Sequence, residues 1–138
     1  MTTASLNVKN IYDQIVSAPL DPAVGIRVVP LTGSDDFTFF AAEIGPHKRV
    51  GAHYHAQGAE IYQIVEGQGV IHIGKPVGEG QTNWVSATAV KKGDCFTIQS
   101  GEVHQLINNN DTRLVALFGC PKSHLSTDRT MVKGFGVP

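Results

Sequence analysis

The chain is short of the residues that mark several protein classes. Its 138 residues include only two cysteines, one tryptophan and two methionines, and the formal charge at neutral pH is −1. Two cysteines are too few for the disulfide framework that staples small secreted domains. Cys95 and Cys120 each adjoin apolar residues, so they read as buried reduced thiols, a single bridge between them being the alternative. A charge so near zero leaves no electrostatic footprint for nucleic acid or for an anionic membrane surface. Lys91-Lys92 and His47-Lys48-Arg49 are the only basic clusters, and each reads as solvated loop. No apolar run reaches the length of a membrane-spanning helix. Met1 to Asn10 lacks the apolar centre of a signal peptide, so a cytoplasmic location is expected. Also missing are a Gly-x-Ser-x-Gly elbow, a phosphate-binding glycine loop ending in Lys-Ser/Thr, and a Cys-x-x-Cys pair.

Helical periodicity is scarce too, and only Asn10 to Ser17 is predicted to form a short helix. Fifteen glycines and seven prolines instead punctuate short segments rich in Val, Ile, Phe, Tyr and Thr. Strands are expected over Ile26 to Leu31, Phe37 to Ile44, Arg49 to His55, Ile61 to Val65 and Val70 to Ile73. Four more are expected over Trp84 to Val90, Cys95 to Ile98, Val103 to Asn108 and Arg113 to Phe118. Strands this short and numerous bury both faces only in a sandwich or a closed barrel, so the class is all-β. Glu66 to Gly69 and Asn108 to Asp111 are predicted to turn hairpins, and Lys75 to Thr82 a longer hairpin loop. The length accommodates one domain over 1–138, with 1–31 as an N-terminal extension and 121–138 as a tail of no clear period.

The informative stretch is His53-Tyr54-His55 followed, four residues on, by Glu60. Alternate side chains of a strand share a face, so His53 and His55 project together with Cβ atoms roughly 6.5–7 Å apart. Glu60 opens the next strand and can point inward beside them. Far along the chain, His104 lies in an alternating segment whose inward face would carry His104, Leu106 and Asn108. Three imidazoles and one carboxylate suit a divalent Mn, Fe, Co, Ni, Cu or Zn ion and not calcium. An octahedral ion held by four such ligands keeps two positions for water, substrate or dioxygen.

Tyr62 lies two residues beyond Glu60 and shares its face, so it either lines a substrate pocket or is ordinary aromatic core. Phe118 is a candidate for the same wall. His72 is expected on the solvent side of its strand, opposite Ile71 and Ile73. His47, beside Pro46, and Gln57 read as turn residues, while His124 in the tail has no assignment. Ser100 lies four residues from His104, but a metal-bound imidazole would not serve it as a base.

Two segments resemble the paired motifs of the cupin superfamily. His53 to Gly67 reads His-x-His, four residues, Glu, six residues, Gly. Gly93, Gly101, His104 and Asn108 match the second motif. The resemblance implies a double-stranded β-helix, or jelly-roll, barrel with one divalent transition metal ion held by His53, His55, Glu60 and His104. It also implies a homodimer formed through the Ser5 to Leu31 region, which would cover an edge strand. The sequence departs from the pattern at His47, where a glycine is expected, and at Gln99, where a proline is expected. Neither is a ligand. The function implied is a metalloenzyme of oxygenase type acting on a small organic molecule. A redox-neutral isomerase or decarboxylase, and a non-catalytic sugar or small-acid binder, are the alternatives.

Overall fold

Asn10 starts the one α-helix among the described residues, which in this computed structural model are 5–137; residues 1–4 of the expected extension and Pro138 of the tail lie outside them. Its side chain accepts from the Tyr12 and Asp13 amides at 2.9 and 3.3 Å, capping α1, Ile11–Ile15. Strands follow as β1 Leu20–Asp21, β2 Ile26–Gly33, β3 Thr38–Ile44, β4 His53–Tyr54, β5 Glu60–Glu66 and β6 Gln68–Gly78. The remainder are β7 Gln81–Lys91, β8 Cys95–Ile98, β9 Val103–Ile107, β10 Leu114–Cys120 and β11 Thr130–Met131, with a 3-10 turn at Lys122–Leu125 before the last. They make two antiparallel sheets, ordered β1-β2-β3-β10-β5-β8 and β11-β4-β9-β6-β7. This is the all-β double-stranded β-helix that the sequence leads one to expect.

Two of the expected hairpins are instead corners between the sheets. β5 and β6 flank Gly67 but belong to different sheets, and so do β9 and β10 around Asn108 to Asp111. Turn residues report a reversal of direction, whereas the choice of sheet is set by which faces must be buried. Gly67 has φ of 83°, and a Cβ there would come within 2.4 Å of the Arg113 carbonyl oxygen, so the corner is too close for a side chain. Asn108 is not on the pocket face with His104 and Leu106. It is buried at its corner, where its amide donates to the carbonyls of Ile44, Gly45 and Thr112 at 2.9–3.0 Å.

The β6–β7 hairpin forms as expected but with a much tighter loop. Pairing runs out to Pro76↔Thr82 and Gly78↔Gln81, and Glu79 and Gly80 turn with φ of 56° and 71°. The expected strand from Arg49 shrinks to His53–Tyr54. Gly51 donates to the Val24 carbonyl at 2.8 Å, and Arg49 keeps only an isolated bridge to Ile107.

The main core fills the space between the sheets, with Phe40, Ile44, Ile64, Ile98 and Leu114 among its buried members. Each sheet's outer face also gains a cover. On the six-stranded sheet, α1 lays Ile15 on Ala41 and Val115. On the other sheet, the tail stacks Phe135 on His72 with centroids 4.1 Å apart, and Gln105 Oε1 accepts from the Phe135 amide at 2.8 Å. His72 therefore faces outward, as alternation requires, but is buried beneath the tail and does not face solvent. The cysteines are corrected as well. Both are free, but only Cys120 is buried; Cys95 lies exposed on β8, the sheet edge, with its neighbour Phe96 turned to the core.

Candidate metal centre

Strand register brings the motif residues together. His53 and His104 are directly paired partners across β4 and β9, His55 follows at the next inward position, and Glu60 opens β5 opposite Ile98. All four are buried between the sheets. Ring centroids lie 4.3 Å apart for His53 and His104, 5.0 Å for His53 and His55, and 5.2 Å for His55 and His104. One nitrogen from each of these three rings lies within 4.8 Å of the other two. Glu60 closes the group, with Oε2 3.1 Å from His55 Nε2 and Oε1 3.3 Å from His104 Nε2.

The backbone fixes the tautomer of all three imidazoles. His53 Nδ1 donates to the Gly51 carbonyl at 2.7 Å, His55 Nδ1 to that of Asp128 at 2.6 Å, and His104 Nδ1 to that of Glu102 at 3.3 Å. A carbonyl only accepts, so each Nδ1 carries a proton, and in the neutral ring the lone pair then falls on Nε2. Nε2 of His55 and of His104 is buried with no hydrogen-bond partner, and in this tautomer neither it nor the facing Glu60 carboxylate has a proton to donate. Buried polar atoms left unpaired are costly and rare. A neutral imidazole with its far nitrogen tied to a carbonyl is the arrangement a transition metal requires. Burial first, then the neighbouring imidazoles of His104 and His55, pushes His53 down to about 3, keeping it neutral. The His/Glu cluster is thus compatible with a bound metal ion.

Glu60 has two further partners. The Tyr62 hydroxyl donates to Oε1 at 2.9 Å. His124, from the 3-10 turn, places Nδ1 2.9 Å from Oε2 and Nε2 2.5 Å from the Gln57 carbonyl, and its ring stacks on His55 at 4.0 Å with planes 3° apart. Burial alone would raise the Glu60 pKa, yet the carboxyl is held well below its usual range, with His124 Nδ1–H donating to it. His124 is itself raised against its burial by Glu60 and the Gln57 carbonyl. Tyr62 is pushed well above its ordinary value by burial and then by Glu60. Asp128 ties down the segment after His55, its carboxylate accepting from the Ala56 and Gln57 amides at 2.7 and 2.9 Å. Gln57 contributes its backbone, in keeping with a turn residue. No motif marks His124, and its contact with Glu60 spans 64 residues.

A largely apolar cavity adjoins the cluster. Val28, Ala42, Ile44, Leu106, Tyr62 and Phe118 are among its walls, and the Tyr62 and Phe118 rings stack 5.2 Å apart. Arg129 and Asp21 also line it, paired at 2.8 and 3.4 Å and partly exposed, so they stand where the cavity meets solvent. His47 lies elsewhere, exposed and 2.7 Å from Asp111. At the position where a glycine is expected it adopts the left-handed conformation itself, with φ of 58°. The Gln99 amide donates to the Glu102 carboxylate at 2.9 Å, a bond that the expected proline would not make.

A family model described as a cupin domain matches residues 40–120, more than half of the chain. Among solved structures, the chain is similar to an uncharacterized conserved protein with a double-stranded β-helix domain from Klebsiella pneumoniae subsp. pneumoniae. That likeness has a TM-score of 0.67 at 16% identity and covers 94% of this chain and 100% of the other. A predicted oxalate decarboxylase from Thermotoga maritima aligns with a TM-score of 0.55 at 27% identity, over 68% of this chain and 77% of the other. An oxalate oxidase in complex with the substrate analogue glycolate aligns with a TM-score of 0.65 at 16% identity, over 90% and 65%. Compared with curated protein sequences, the chain matches none.

Proposed function

The chain belongs to the cupin domain family, and from that premise we propose that it is a mononuclear metal-dependent enzyme of oxygenase type acting on a small, largely apolar organic molecule. The observation that carries the reading is the pair of buried, unpaired Nε2 atoms of His55 and His104 on either side of the Glu60 carboxylate. His53, His55, His104 and Glu60 would hold one divalent transition ion. When bound, such an ion supplies a Lewis-acid or redox centre. The carbonyls of Gly51, Asp128 and Glu102 keep the imidazoles oriented, and the hydrocarbon walls exclude water.

Tyr62 and Phe118 form the aromatic wall against which an apolar substrate packs. Arg129, the one guanidinium or ammonium among the lining residues, is already neutralised by Asp21, which favours an apolar substrate over a small dianion. Glu60 is engaged by donors from Tyr62 and His124, so the cavity offers no unengaged carboxylate for proton-transfer chemistry, which favours the oxygenase reading. A second reading, redox-neutral decarboxylation, draws on the likeness to the predicted oxalate decarboxylase.

Protein purified without chelator is expected to carry one transition metal ion per chain, and His55→Ala and His104→Ala to lose it while remaining folded. A full equivalent of metal in both variants overturns the site. The iron-, copper- or nickel-loaded protein is expected to consume oxygen with members of a panel of diketones, polyphenols and thiols. Carbon dioxide release from oxalate without oxygen uptake selects the second reading. Failure of both panels selects a non-catalytic binder of a small molecule.

A further inference from the structure

Glu60 is gripped on both oxygens by residues outside the imidazole triad. Tyr62 occupies one side of Oε1, and His124 occupies one side of Oε2. A carboxylate oxygen has two lone-pair directions. With one taken on each oxygen, the remaining directions fall toward His55 and His104, 3.1 and 3.3 Å away. The His124 ring is itself immobilised. It is fully buried, stacked coplanar on His55, and tied through Nε2 to the Gln57 carbonyl. Both of its nitrogens face acceptors, so unlike His53, His55 and His104 it turns no free lone pair into the cluster. One of its nitrogens lies within 4.8 Å of ligand atoms of His55 and Glu60, but with acceptors already on both nitrogens its place is beside the ligands.

We propose that His124 is a positioning residue of the metal centre: its Nδ1–H fixes the Glu60 carboxylate for coordination, making the 3-10 turn after β10 a working part of a site whose motif residues all precede it. The inference rests on the metal reading above. Residues that orient metal ligands through hydrogen bonds typically govern affinity by about 10- to 100-fold.

Cobalt(II) is a suitable probe, because its visible absorption reports coordination without turnover. Three variants of the full chain separate positioning from packing. His124→Asn sets an amide donor near the place of Nδ1, His124→Gln sets one near Nε2 instead, and His124→Phe keeps the stacked ring without either donor. The Gln and Phe variants are expected to bind cobalt(II) about 10- to 100-fold more weakly with altered visible bands, and the Asn variant to recover most of both. Equal losses for Asn and Gln would reduce His124 to packing and overturn the proposal, as would unchanged binding in all three. If the Phe variant does not fold, the Asn and Gln pair still decides. Wild-type protein that takes up no cobalt(II) overturns the metal reading, and this proposal with it. Wild-type binding with indifferent variants overturns the proposal alone.

Discussion

Six histidines occupy this chain, and their surroundings give the imidazole quite different properties. His72 lies under Phe135 on the outer face, and burial, then the nearby Arg49 guanidinium, lowers its pKa from the ordinary 6.5. Between that lowered value and 6.5 the unfolded chain binds a proton that the folded chain resists. Stability from this group is therefore gained as pH rises through the window, is complete above it, and is lost on acidification. Moving from pH 7.5 to 5 is expected to loosen the tail. Hydrogen exchange at the Phe135 amide, corrected for its intrinsic pH dependence, should accelerate in the wild type and not in His72→Phe. His53, His55 and His104 were legible because strand alternation and motif spacing are local properties of a sequence. The cover over His72 and the contact of His124 with Glu60 were not, since each depends on a tail segment whose sequence has no period to read.

Among elements, strands were far easier to read than their partners. Gly67 and Asn108 announced where the chain reverses, but only the need to bury both faces sends it to the opposite sheet. The same distance from local rules explains the Asp21–Arg129 pair, which joins β1 to the segment just before β11 across 108 residues. Either partner alone would leave a half-buried charge or an unsatisfied guanidinium beside the cavity. Asp21→Ala and Arg129→Ala are each expected to cost on the order of 1–2 kcal/mol in urea unfolding. The double variant should cost less than their sum by about 1 kcal/mol. Additive losses would mean that the two ends of the chain are held by packing alone.

For the molecule as a whole, β4 is flanked in its sheet by β9 and β11, both far from it along the chain. Non-local pairing of this kind makes folding slow, on the order of milliseconds to seconds. Trp84 lies 5.9 Å from Phe135, centroid to centroid, so its fluorescence reports closure of the tail. In refolding from urea with cobalt(II) present, the metal's visible bands are expected to grow with the Trp84 signal and to reach a rate that added metal does not increase. Bands that precede the fluorescence change would show that a partial site suffices. The position of β4 between late-arriving neighbours also bears on which ion the proposed site would keep. On a chain still being made, His53, His55 and Glu60 emerge long before His104, and such an incomplete set follows the general order of divalent affinities, in which copper outranks iron and manganese. For a chain that holds a metal as proposed, discrimination among ions would come only when His104 and the tail arrive, which would make metal choice a matter of timing as much as of geometry.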